Sequence, residues 1–120
     1  MCAIGVHSQG MALFHFIETS IFTAQVKELL TDDEYRELQR RLIDNPETGD
    51  LMEGTGGARK VRHGARGKGK SGGVRAIYYY AKQDGQIFML VIYPKSEQDN
   101  LSKAQRNALK SIIKELDDGS

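Results

Sequence analysis

Two β-rich runs, Val74 to Ala81 and Gln86 to Tyr93, stand either side of a short break that contains Asp84-Gly85. Asp-Gly between such runs is a hairpin signal, because glycine supplies a positive φ without steric cost. The two runs therefore pair antiparallel. A third run, Ala58 to His63, alternates Arg59, Val61 and His63 against Lys60 and Arg62, so the second half of the chain reads as three hairpin-compatible strands. The first half differs. Leu13 to Glu18 reads as a short strand with Phe14 and Phe16 on one face. Thr19 or Ser20 then caps a helix carrying Ile21, Phe22, Val26, Leu29 and Leu30 at helical spacing. Thr31-Asp32-Asp33-Glu34 is a capping box opening a second helix with a Tyr35, Leu38, Leu42 stripe, which Asn45-Pro46 stops. Ser102, with Gln105 three residues on, opens a last helix whose stripe is Leu101, Ala104, Ala108, Leu109, Ile112, Ile113 and Leu116. The order β-α-α-β-β-β-α predicts an α+β fold with a mainly antiparallel four-stranded sheet.

The chain has 120 residues, enough for one core and too few for two. Residues 1–10 precede a second methionine, Met11, and are set apart as an extension, an alternative start or appended residues; residues 11–120 form the single domain. No apolar run approaches the roughly 20 residues of a membrane span, and no secretory signal opens the sequence, so the expectation is a cytoplasmic protein without membrane contact. Cys2 is the one cysteine, which excludes an internal disulfide and suits a reducing compartment. His7, His15 and His63 lack metal-ligand spacing, so no metal and no cofactor is expected.

Net charge is only +1, yet no acidic residue lies between Glu53 and Asp84, where Arg59, Lys60, Arg62, Arg66, Lys68, Lys70, Arg75 and Lys82 all fall. Such segregation aims a local field at a polyanion. Within it, Gly64 to Ser71 fits the phosphate-loop pattern G-x-x-x-x-G-K-[ST]. That pattern needs a helix to begin at its lysine, and here Gly72-Gly73 and a strand follow, so the nucleotide reading fails. The glycines instead let a flexible backbone approach phosphates while Arg66, Lys68 and Lys70 supply charge.

Lys60 and Arg62 share a strand face by parity, Arg75 opens the next strand, and Lys95 follows the last. Like charges on neighbouring strands destabilise a sheet, so their clustering points to an anionic ligand. Convergent cations also suit RNA cleavage in which the ribose 2′-hydroxyl attacks the adjacent phosphate. Arginine forks stabilise the crowded phosphorane, and a lysine among cations is a candidate base. His63 has the opposite parity, which favours a structural role. Among Tyr78, Tyr79, Tyr80 and Tyr93, alternation permits only a subset to stack on bases; Tyr80 is the RNA-binding candidate, with Arg59 as a flanking cation.

These residues resemble the RelE/HigB family of bacterial toxin–antitoxin toxins, in particular its HigB-2-like branch. The matching stretches are Gly54-Thr55-Gly56-Gly57 with Arg59-Lys60-Val61-Arg62, Gly67-Lys68-Gly69-Lys70 with Gly72 to Tyr80, and Ile92-Tyr93-Pro94-Lys95-Ser96-Glu97 with Asp99-Asn100-Leu101. The resemblance implies a RelE-like fold, akin to microbial ribonucleases, and a metal-independent mRNA interferase that cuts mRNA in the ribosomal A site. It implies a HigA-like antitoxin as partner, besides mRNA and the 70S ribosome. By position it assigns catalysis to Lys60, Arg62, Arg75 and Lys95. Pro94 stands where the family usually has glycine, and Ser96 where RelE-like members can carry another arginine. Two other classes fit part of the pattern: a ParE-like gyrase inhibitor, against which the catalytic-type cations argue, and a nonenzymatic RNA-binding module.

Overall fold

The protein was analysed as a computed structural model that describes residues 2–9, 12–64, 73–82, 85–97 and 100–119. Its elements in chain order are β1 (Cys2–Gln9), β2 (Ala12–Glu18), α1 (Ser20–Leu29), α2 (Asp32–Asp44), β3 (Asp50–Leu51), β4 (Arg59–His63), β5 (Val74–Ala81), β6 (Gln86–Pro94) and α3 (Lys103–Gly119). One sheet runs in the order β1-β2-β6-β5-β4-β3. All neighbours are antiparallel except β2 and β6, which run parallel.

The helix starts are made where the sequence places them. Thr19 caps α1 and accepts the Phe22 N–H at 3.0 Å. Thr31 and Glu34 form the reciprocal capping box of α2, and Ser102 and Gln105 exchange the same pair of bonds before α3. The β5–β6 turn brings Ala81 opposite Gln86 through Gly85 at φ 65°; Asp84 lies outside the described residues.

The sheet separates two cores. On one face, Phe22 and Val26 of α1, Leu30 at its C-cap, and Leu38, Leu42 and Ile43 of α2 pack on Val61, Val74, Ala76, Tyr78, Ile87 and Met89. On the other, Leu109 and Ile113 of α3 pack with Leu101 on Ile77, Phe88, Leu90 and Tyr93. The α3 stripe is narrower than its sequence suggests: Ala104 and Ala108 are exposed.

The α+β class and the β-α-α-β-β-β-α core hold, but among the described residues the sheet has six strands rather than four. Cys2–Gln9 adds β1 along β2, and Asp50–Leu51 adds β3 beside Arg59 and Lys60. A two-residue strand has no periodicity to detect, and its pairing is made by the partner strand rather than by its own sequence.

Candidate active site

β4, β5 and β6 carry one row of functional groups across the sheet. Arg62 lies opposite Arg75, and Arg75 lies opposite Tyr93. Directly paired residues share a face, so all three leave on the α3 side, with Lys60 one step along β4 on that same face, opposite Ile77. Exposure differs sharply along the row. Arg62 is exposed, Lys60 half-buried, and Arg75 and Tyr93 are only 1% and 4% exposed. Arg75 Nη1 donates to the Val74 carbonyl at 3.3 Å. Lys60 Nζ donates to Asn100 Oδ1 at 3.0 Å, which joins β4 to the segment leading into α3.

Tyr93 reaches this row through a bulge. Ile77 pairs with Val91, but Tyr78 pairs with Met89, so Leu90 is the extra residue of β6. Met89 and Ile92 belong to the α1/α2 core, whereas Leu90 and Val91 both pack on the α3 side. The inserted residue thus flips the parity of everything after it and turns Tyr93 toward Arg75. The displaced Leu90 carbonyl accepts the Thr19 hydroxyl at 2.7 Å, and the Met89 carbonyl accepts the Thr19 N–H at 3.1 Å. One threonine therefore caps α1 and satisfies the bulge.

Lys95 follows the end of β6, and its N–H donates to the Gly73 carbonyl at 3.0 Å. Its exposed side chain leaves from the end of the sheet where β5 begins, the same end as Arg62 and Arg75. Gly73 has no room for a side chain: a Cβ there would lie 2.1 Å from the His63 carbonyl oxygen. That close approach holds the exit of β4 against the entry of β5, next to the arginine pair.

The opposite face is structural in character. The Arg59 Nη1 donates to the Gly49 and Glu47 carbonyls at 2.9 and 3.2 Å. Tyr78, fully buried, donates to the Pro46 carbonyl at 2.7 Å and accepts the Gly49 N–H at 3.0 Å. Tyr80 packs against the α1/α2 core. Arg59 and Tyr80 are therefore not brought together with Lys60, Arg62 and Arg75. His63 is buried on the α2 side: Arg41 Nη1 lies 3.0 Å from its Nδ1, and the Glu34 carbonyl lies 3.1 Å from its Nε2. Arg41 can only donate, so Nδ1 accepts and Nε2 carries the proton. Burial first, and the Arg41 charge second, hold the imidazole below its usual range. The structural role that parity predicts for His63 is the one observed. Arg66, Lys68 and Lys70 of the basic loop lie outside the described residues.

The sequence model of the family described as the RelE toxin of the RelE/RelB toxin–antitoxin system matches residues 16–120. The chain belongs to the RelE toxin family. Its fold is similar to that of the E. coli toxin RelE, solved as a double arginine-to-alanine mutant in the free state, with a TM-score of 0.56 at 12% identity over 86% of this chain and 98% of that one. A RelE-family toxin is the active half of a toxin–antitoxin module, an mRNA endoribonuclease held in check by an antitoxin partner. Among the described residues, no helix of this RelE-family chain is long and apolar enough to cross a membrane.

Three residues in or beside the candidate row make contacts that sequence reasoning did not foresee. Asn100 gives no signal in isolation, because its contact with Lys60 spans 40 residues. The placement of Tyr93 depends on a bulge that alternation does not show. Arg41, on α2, donates from Nη1 to the Arg62 carbonyl at 2.7 Å and reads in sequence as one more solvated helix cation.

Proposed function

We propose that this toxin cuts mRNA in the ribosomal A site by attack of the ribose 2′-hydroxyl on the adjacent phosphate. The observation that carries the reading is the in-register row Arg62–Arg75–Tyr93 with Lys60 on the same face. As the 2′-oxygen bonds to phosphorus and the bond to the 5′-oxygen breaks, charge concentrates on the equatorial phosphate oxygens. Arg62 and Arg75 supply fixed forks of donors for that charge. Arg75, held by the sheet at 1% exposure, adds fixed positive charge beneath Arg62, and its direct contact with the phosphate requires the groups covering it to move. Lys60 and Lys95 flank the row and handle the two proton transfers, from the 2′-hydroxyl and to the leaving 5′-oxygen. The products are a 2′,3′-cyclic phosphate and a 5′-hydroxyl, and no step requires a metal.

Arg66, Lys68 and Lys70 grip phosphates of the message or the ribosome, through contacts that weaken as salt rises. Arg59 and Tyr80 leave from the other face, so any RNA they touch belongs to the ribosome and lies away from the scissile bond. Residues 1–10 are an extension to the catalytic domain of residues 11–120. The setting is cytoplasmic, within the HigB-2-like branch, and the antitoxin is HigA-like. Purified toxin is tested on one message, free and loaded on 70S ribosomes. Cutting restricted to the loaded message supports the reading; cutting of free message removes the ribosome from it, and intact RNA in both removes the reaction.

A further inference from the structure

Arg62 occupies an exposed site on a strand that loses its outer neighbour just before it. β3 pairs with Arg59 and Lys60, so among the described residues the ladder on that side of β4 ends at Lys60, two residues before Arg62. Among the described residues Arg62 is thus laddered on one side only, to Arg75 of β5, and a misplacement of about 1 Å in a catalytic group is costly. The missing ladder partner is replaced by a side chain. Arg41 of α2 reaches the open edge and donates from Nη1 to the Arg62 carbonyl at 2.7 Å. The same nitrogen lies 3.0 Å from His63 Nδ1, so its two hydrogens serve two acceptors on consecutive residues. The far side of the imidazole closes the circuit by donating from Nε2 to the Glu34 carbonyl at 3.1 Å, about two α2 turns before Arg41. His63 is 4% exposed and points away from the catalytic face, so it has no route to the scissile phosphate.

We infer that Arg41 and His63 are positioning residues, a clamp from α2 that holds the Arg62 main chain at the open edge of β4 and so fixes where its guanidinium meets the phosphorane. This inference rests on the role of Arg62 proposed above. The clamp works through bonds to the backbone, and it acts from the face of the sheet opposite the reaction. The prediction is a loss in the chemical step with ribosome affinity unchanged, because neither residue faces the RNA.

Single-turnover cleavage on mRNA-programmed 70S ribosomes, with ribosome affinity measured in parallel, tests it in the full-length toxin. Arg41→Met keeps the aliphatic stem and removes both donors. His63→Leu keeps the buried volume and removes both ring contacts, whereas His63→Gln retains an acceptor and a donor. The expected result is a cleavage rate lowered about 10-fold or more in Arg41→Met and His63→Leu with affinity within about 2-fold, and His63→Gln restored to within about 3-fold of wild type. Leu38→Val, which thins the α2 core without touching the clamp, supplies the stability control. Wild-type rates in Arg41→Met overturn the clamp even if His63→Leu does not fold. An equal loss of rate in Leu38→Val also overturns it, since general destabilisation then explains the effect. If the wild type fails to cut ribosome-bound mRNA, the functional reading falls and the clamp with it; wild-type cutting with unchanged variants removes the clamp alone.

Discussion

At the scale of single residues, the two arginines of the row, to which we assign the same chemistry, lie in opposite environments. Arg62 is exposed, so Arg62→Ala removes a phosphorane donor with little change in packing; its cleavage rate falls about 100-fold or more while the thermal midpoint stays within a few degrees of wild type. Arg75 is 1% exposed, so truncation to alanine also empties a buried site, and Arg75→Lys is the cleaner variant: charge and stem persist, the fork is lost. The sequence shows both residues as cations on adjacent strands, but nothing in it distinguishes the buried one from the exposed one. His63 gives a pH dependence of known sign. Its folded-state affinity for protons lies below that of the unfolded imidazole, so the unfolded chain binds more protons in the window beneath about 6.5. Its stabilising contribution is full above that value and declines as pH falls through the window. Denaturant titrations at pH 7.5 and 5.5 show a larger stability loss in wild type than in His63→Gln; equal losses would contradict the assignment.

At the scale of elements, what was legible in the sequence was local. The capping boxes at Thr31 and Ser102, the alternation of β4 and the hairpin at Gly85 all depend on residues within a few positions of one another. What was not legible is non-local. The bulge at Leu90 is held by Thr19, 71 residues away, whose hydroxyl and N–H bond the Leu90 and Met89 carbonyls, and the bulge sets which face Tyr93 takes. Thr19→Val leaves both the Phe22 N–H and the Leu90 carbonyl without that hydroxyl and destabilises the fold by about 1–2 kcal/mol, read by urea denaturation. Gly73 makes the same point for a close approach. A methyl group there collides with the His63 carbonyl, so Gly73→Ala forces β4 and β5 apart and costs about 3 kcal/mol or more. In sequence it is one of several glycines in a glycine-rich stretch; in the fold it fastens the strand junction beside the arginine pair.

At the scale of the whole molecule, the sheet divides labour between its faces. The α1/α2 side holds the larger aliphatic core and the structural bonds of Arg59, Tyr78 and His63, and the α3 side presents the row proposed to be catalytic. The row lies on β4, β5 and β6, with β2 between it and β1 at the far edge, and the RelE family match begins at residue 16. A chain starting at Met11 therefore retains cleavage of ribosome-bound mRNA at a rate within about 2-fold of the full chain. Whether the convergent row performs RNA cleavage is read most directly by mapping RNA 5′ ends within minutes of inducing the wild-type toxin and Arg62→Ala at matched protein levels. The wild type produces new 5′-hydroxyl ends inside translated messages, spaced by reading frame, and Arg62→Ala produces almost none. Intact messages in wild-type cells that nevertheless stop growing, or equal cutting by Arg62→Ala, would contradict the account.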